Sequence, residues 1–308
     1  MSKKYYTYEW KADGPSNIYM TVALPLRKMG AISWIALESL RNQKDVNFDW
    51  ELIIFEDGDD SRKILNQFIG KLPGCKRILY KSQNPETEGR LSGKYKGDIL
   101  LIDKWIEIAR AADKKSKVYF LQAGDVYSPN GMIKNHFENF KNKNCIFSTY
   151  PRGLFYHLGT KQKMFYDGYR ADIKLNKRPF LTQMHLYMAI RTRDMLKVTS
   201  IDRNRKIDKH IRSSINNQYG IDPASAKYIF NVDDIDPTDW MTGFNTDGLN
   251  TISFRRKIYD DPSFYSRLWR PYNDLIRKDL KYIESFEKRI PKNVYNYMKP
   301  ITKTRKNR

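Results

Sequence analysis

Three acidic side chains stand where an α/β protein would place reactive groups. Asp57 closes the apolar run Glu51-Leu52-Ile53-Ile54-Phe55, Asp125 follows Val118-Tyr119-Phe120-Leu121, and Asp208 lies in a later stretch of helical pattern. Separated carboxylates around one crevice suit a divalent cation bridging a diphosphate, with a further carboxylate as general base. An Asp after a strand also forms turns and caps helices, so each position taken alone carries both readings. Other chemistries lack their residues. There is no GxxxxGKS or GxxxxGKT phosphate loop, no GxGxxG after the first strand and no GxSxG elbow. The histidines His136, His157, His185 and His210 have no HExxH or CxxC spacing, which argues against a zinc hydrolase.

The elements that must position these acids alternate in type. Ile18–Leu24 reads as a buried strand ending at Pro25, Ala31–Gln43 as a helix with Ile32, Ile35, Ala36 and Leu40 on one stripe, and Glu51–Phe55 as a second strand. A helix over Arg62–Ile69, a strand at Arg77–Tyr80, a helix over Ile99–Ala112, a strand at Val118–Leu121, a helix from Pro129 and a strand at Cys145–Thr149 follow. Such alternation predicts a mainly parallel sheet with helices on both faces and ligands at the carboxyl ends of its strands. The second half is less regular. Tyr150–Phe180 reads as long loops, Asp194–Val198 and Arg203–Asn217 as helices, Lys227–Val232 as a strand and Pro262–Arg289 as helical.

At these strand ends the chain resembles the family 2 nucleotide-sugar glycosyltransferases of the GT-A fold. Their opening pattern is a strand ending in Pro, a helix carrying Ser-Leu-x-x-Gln, and a strand ending in Asp-Asp-Gly-Ser. Here stand Val22-Ala23-Leu24-Pro25, then Ser39-Leu40-Arg41-Asn42-Gln43, then Phe55-Glu56-Asp57-Gly58-Asp59-Asp60-Ser61. The family's Asp-Ala-Asp-Asp block, with Pro four residues on, is similar to Gln122-Ala123-Gly124-Asp125 followed by Pro129. A third mark, Glu-Asp with an aliphatic and Arg, resembles Ile207-Asp208-Lys209-His210-Ile211-Arg212.

The resemblance implies a three-layer α/β/α GT-A fold with a mainly parallel central sheet and a helical C-terminal extension. Residues 1–255 would form the transferase domain, with a nucleotide half over 18–150 and an acceptor half over 151–255; residues 256–308 would form the extension with its basic tail. It also implies a metal-assisted, inverting glycosyltransferase using a nucleoside-diphosphate sugar. Pro25, Glu56, Asp57, Gln122 and Gly124 would lie at the nucleotide sugar, Asp125 would hold Mn²⁺ or Mg²⁺, and Asp208 would be the base, with Asp194 or Asp202 as substitutes. Gln122 and Gly124 replace two of the family's acids, so Arg90 or Lys94 would share the work of neutralising the diphosphate. On the acceptor side Asp239 and Trp240 could face a sugar, and Gly243–Asn250 could form a lid.

Charge bears on the acceptor. The 308 residues carry 56 Lys+Arg against 35 Asp+Glu, a formal charge of +21, and the last ten residues hold five cations and no acid. An excess of this size favours polyanionic partners. Hydroxylated bases in viral DNA are the expected acceptor; a glycan, protein or lipid acceptor, or a non-catalytic DNA-binding protein on a degenerate α/β fold, are the alternatives. Two cysteines exclude a disulfide scaffold, aromatics at 14% exclude a disordered chain, and no apolar run is long enough to span a membrane. A cytoplasmic protein without membrane insertion is expected, in the host cytoplasm if the source is viral.

Overall fold

The structure is a computed structural model that describes residues 5–27, 29–57, 61–83, 101–150, 152–157, 163–167, 188–199, 207–220, 229–231, 241–245, 269–271 and 280–294. Its centre is a parallel set: β2 (Met20–Arg27) between β3 (Trp50–Asp57) and β5 (Val118–Leu121), with β4 (Cys75–Gln83) outside β3. Every residue of β3 is buried, as expected for a parallel strand covered on both faces. The cover is visible at two successive residues of β5, whose side chains point to opposite faces. Tyr119 donates its hydroxyl to the Trp105 carbonyl (2.7 Å) on α3 (Leu101–Ala111), while the Phe120 ring meets His136 (4.8 Å between centroids) on α4 (Met132–Lys141).

The full sheet has eight strands in the order β1-β4-β3-β2-β5-β10-β7-β11, adding β1 (Tyr5–Lys11), β7 (Phe147–Thr149), β10 (Met188–Arg191) and β11 (Ile229–Asn231). Only β1 and β10 run against the other six. The fold is therefore mixed α/β with a mainly parallel central sheet, as expected. Strand β2 runs through Pro25 rather than stopping there. Its pairing with β5 ends at Ala23↔Leu121, whereas that with β3 continues to Arg27↔Asp57. Successive backbone donors alternate between the two sides of a strand. Since the Ala23 carbonyl faces β5, where it accepts from Gln122 N, the donor that Pro25 lacks would have pointed past the end of β5.

A second sheet, β13-β9-β8-β12-β6, starts at β6 (Val126–Tyr127), just beyond the end of β5. It corrects three expectations. Tyr150–Phe180 contains the antiparallel pair β8 (Arg152–His157) and β9 (Lys163–Asp167) rather than loops alone. Trp269–Pro271, inside the stretch read as helical, is β13 and pairs with β9. Gly243–Asn245 belong to β12 (Met241–Asn245), bonded to β8 and β6, so these three residues are not part of a lid.

Helix α1 (Ser33–Arg41) follows a 3₁₀ turn at Gly30–Ile32, and α2 is short (Arg62–Leu65). Beyond β10 come α5 (Thr192–Met195) and α6 (Ile207–Tyr219). In α7 (Leu280–Arg289), Phe286 is buried against Trp34 of α1 and Tyr127 of β6, with ring centroids 6.0 and 4.4 Å away, so this part of the C-terminal region joins the main core. No helix among the described residues is long and apolar enough to cross a membrane.

Candidate functional site at the carboxyl edge of the sheet

Parallel register brings Pro25, Asp57 and Asp125 to one edge. Pro25 pairs with Phe55, Arg27 pairs with Asp57, and β5 on the other side of β2 runs out at Leu121 into the turn that holds Asp125. Asp57 is 1% exposed, and its Oδ1 lies 2.8 Å from Lys104 Nζ. Lys104 is equally buried and donates to the Leu26 carbonyl (2.7 Å), so one ammonium ties the ends of β2 and β3 to α3. Sequence reading missed Lys104. Its signal was helical spacing, because positions 101, 104, 105 and 108 share one face and the other three are apolar.

Glu56, one residue from Asp57, points to the opposite face. Its carboxylate accepts from Ser61 N (2.9 Å), Ser61 Oγ (2.7 Å) and Tyr80 OH (2.6 Å). These bonds fix where the chain returns into α2, a structural use of the residue alongside the ligand role expected for it.

The turn after β5 explains why two of the expected acids are missing. Gln122 is fully buried and bridges the turn: Nε2 donates to the Ala123 and Val126 carbonyls (both 2.9 Å), and Oε1 accepts from Ser128 Oγ (2.6 Å). A Cβ at Gly124 would lie 2.5 Å from Met29 Sδ and 2.6 Å from Leu26 Cδ2, so no side chain fits without displacing them. Leu26 and Met29 thus pack apolar groups between this turn and the end of β2. Within the block Asp125 is the remaining acid, largely buried at 8% exposure. No group of three or more His, Cys, Asp or Glu suited to a metal occurs among the described residues. Asp125 would give a hard cation one carboxylate from this turn.

The backbone of Asp208 lies in the first turn of α6. The far end of that helix is anchored by Tyr219, whose hydroxyl lies 2.9 and 2.8 Å from the two carboxylate oxygens of Asp194. At a rise of about 1.5 Å per residue, position 208 lies about 16 Å along the axis from that anchor. Asp194 itself is not a substitute base for this site. It follows β10, whose Arg191 pairs with Val118, the first residue of β5, so it sits at the opposite edge of the sheet. It is buried there, and burial pushes its carboxyl above the usual range. Arg90, Lys94, Asp202, Asp239, Trp240 and His185 lie outside the described residues.

No family model matches the sequence, and no curated protein matches it either. Solved structures with a similar course of the chain include Staphylococcus aureus TarS residues 1–349 in complex with UDP, at TM-score 0.46 and 12% identity over 74% of this chain and 61% of that one. The mannosyltransferase PcManGT of Pyrobaculum calidifontis in complex with GDP-Man and Mn²⁺ gives 0.48 and 9% over 80% and 63%. The 4-diphosphocytidyl-2C-methyl-D-erythritol synthase of Anaerococcus prevotii gives 0.39 and 11% over 82% and 100%. The chain spans about three fifths of the length of the first two.

Proposed function

We propose that this chain is a glycosyltransferase that moves a sugar from a nucleoside-diphosphate sugar to an acceptor hydroxyl. One observation carries the reading: Pro25 and Asp57 of the specific first block, and Asp125 of the second block that departs from the family pattern at Gln122 and Gly124, lie towards the carboxyl ends of three adjacent parallel strands, where such sheets bind ligands. Pro25 and Asp57 are assigned to the nucleoside, the Asp57 carboxylate accepting from a base N–H. Residues 18–150 are the nucleotide half, 151–255 the acceptor half and 256–308 an extension. Asp125 would hold the divalent cation, which when bound neutralises the diphosphate. Asp208 is assigned as base. The acceptor oxygen bonds to the anomeric carbon as the bond to the β-phosphate oxygen breaks; the acceptor proton passes to Asp208, and the nucleoside diphosphate leaves with the electron pair. In-line attack inverts the anomeric centre.

For the acceptor we infer a hydroxylated base in viral DNA, supported by the formal charge of +21. Calorimetric titration with UDP-, GDP- and TDP-sugars, followed by mass spectrometry with hydroxymethylated DNA and glycan acceptors, tests both levels. Binding of one donor that falls at least tenfold in Asp57→Ala is expected, together with a mass gain of one sugar on the DNA. Failure of every donor to bind overturns the transferase reading. Donor binding with transfer only to a glycan, or to none of the acceptors, overturns the DNA acceptor.

A further inference from the structure

The opposite, amino-terminal edge of the sheet carries a surface that the proposed reaction does not use. Three segments meet there: the approach to β5 with Lys114, Lys115 and Lys117, the end of α4 with Lys141 and Lys143, and the stretch from Arg191 through Lys197. All of these cations except the half-buried Arg191 are exposed. Few acids answer them. Glu138 pairs with Lys141 (2.7 Å), Asp194 is buried beneath Tyr219 with one oxygen 3.7 Å from Arg193 Nε, and Asp113 accepts from the backbone N of Lys115 (2.8 Å).

Aromatic rings lie among the charges. Phe48 and Phe137 stack at 4.0 Å between centroids, and Tyr19 meets Phe137 edge-on at 4.8 Å; all three are half-buried. Lys117 Nζ sits 5.4 Å above the Tyr19 ring and Lys141 Nζ 4.9 Å above Phe137. Further along, Tyr219 is 36% exposed, its hydroxyl held by Asp194 and lying 3.4 and 3.5 Å from the guanidinium groups of Arg191 and Arg193. Because β5, β10 and β7 are neighbours spaced about 4.8 Å apart, Lys117, Arg191 and the approach to β7 form a row about 10 Å long.

We propose that this edge binds single-stranded nucleic acid, with Lys117, Lys143, Arg193 and Lys197 on phosphates and the exposed ring of Tyr219 stacking a base. Rings presented between cations suit unpaired bases along a phosphodiester backbone. A membrane surface would need more exposed apolar area: Leu196 is the one large aliphatic side chain exposed among the described residues. The proposal does not rest on glycosyl transfer and would hold for this surface whatever the other edge does.

The test is fluorescence anisotropy of a labelled 20-nucleotide mixed-sequence DNA strand titrated with full-length protein between 50 and 300 mM NaCl. A variant combining Lys117→Ala, Lys143→Ala and Arg193→Ala is compared with one of equal charge loss away from the ends of β5, β10 and β7, Lys11→Ala, Lys44→Ala and Lys71→Ala. The first is expected to bind at least tenfold more weakly, with the salt slope reduced by about 2, since each lost phosphate contact removes about 0.7. The second should stay within twofold of wild type. Tyr219→Ala should weaken the single strand at least fivefold and Tyr219→Phe much less, because the ring is retained. Equal loss in both triple variants assigns binding to bulk charge and overturns the proposal. So does a duplex that competes as well as the strand, or binding of phosphatidylserine vesicles without binding of the strand.

Discussion

On the face covered by α3, strand β3 buries one acid at each end. Glu51, at the amino edge, is fully buried and accepts from Thr21 Oγ1 (2.6 Å) and Asp113 N (2.8 Å) on one oxygen and Arg77 Nη1 (2.6 Å) on the other. Arg77 in turn reaches Glu9 (2.6 Å) and the Ala111 carbonyl (3.1 Å), so the acid staples β1, β2, β3, β4 and the end of α3. Burial pushes the Glu51 carboxyl upward, against the pull of these partners. Asp57, six residues on, is met by one ammonium from Lys104. At the amino edge, short returns of the chain bring backbone and side chains from several strands onto the acid. At the carboxyl edge the flexible side chain of Lys104 reaches it from α3. Equal burial thus accompanies different surroundings, a staple across several strands in one place and, in the other, the acid to which the proposed function gives the nucleoside.

The largest effects should come from cutting these two pairs. Removing one partner of a buried ion pair leaves an uncompensated charge and costs about 3–5 kcal/mol. Glu51→Ala and Lys104→Met should each lower the unfolding free energy in urea by about that amount. The two edges part at the next step. Lys104→Met combined with Asp57→Asn should recover more than half of the loss, since no charge is then stranded. At Glu51 the stranded group is an arginine bonded to two other elements, so pairing Glu51→Gln with Arg77→Met should recover less. Nucleotide-sugar affinity should drop at least tenfold in Asp57→Asn and stay at the wild-type value in Glu51→Gln. The opposite pattern would reverse the roles given to the two acids.

A smaller effect tests the turn beside Asp125. Gly124→Asp would restore the acid that the family pattern has at this position, but its Cβ would run into Leu26 and Met29. Overpacking of this kind costs about 1–3 kcal/mol. The variant should lose that much stability and gain no Mn²⁺ affinity by calorimetry. A variant that folds as well as wild type and binds the ion more tightly would show that the packing at Gly124 yields.

Local patterns made much of this architecture readable. Helix α1 lies where Ile32, Ile35, Ala36 and Leu40 place it, and β5 has the bounds that its four apolar residues give. Pairings between distant segments were not readable. Edge strand β1 spells Tyr-Tyr-Thr-Tyr-Glu-Trp-Lys, whose alternation puts Tyr8 and Trp10 half-buried on one face, but nothing in it names its distant partner β4. Strand β13 pairs with β9 across more than a hundred residues, while β8 and β9 pair locally, and none announces its register alone. At the site, the order of the blocks located Asp57 and Asp125. The uses of Glu56, Gln122 and Lys104 depend on Tyr80, Ser128 and Leu26, partners that only the folded chain brings near.

Between the two edges, on the opposite face from α3, His136 provides a pH test. It is fully buried, Nδ1 meets Ser148 Oγ at 2.8 Å, and burial pushes the imidazole down to about 3. The folded protein therefore keeps it neutral, while the unfolded chain protonates it near 6.5. Its contribution is complete above that value and is lost as pH falls from 6.5 towards 3, with a slope of up to about 1.4 kcal/mol per pH unit. In urea titrations across this range, His136→Leu should flatten the decline by about that slope. An unchanged slope would place the acid sensitivity elsewhere.

The smallest effects belong to the amino-edge cations, and their smallness makes that surface testable. Lys141 and Glu138 form an exposed pair one helical turn apart, worth about 0.3–0.5 kcal/mol. Lys117 and Lys143 are exposed, and no ion pair involving either occurs among the described residues. Replacing Lys117, Lys141 or Lys143 by Ala should therefore change the unfolding free energy in urea by no more than about 0.5 kcal/mol each, against several for Glu51. If these changes instead unfold the protein, the lysines belong to the same staple as Glu51, and the amino edge is one structural unit. If stability holds for these and for Arg193→Ala, any loss of strand binding in the triple variant reflects the surface itself.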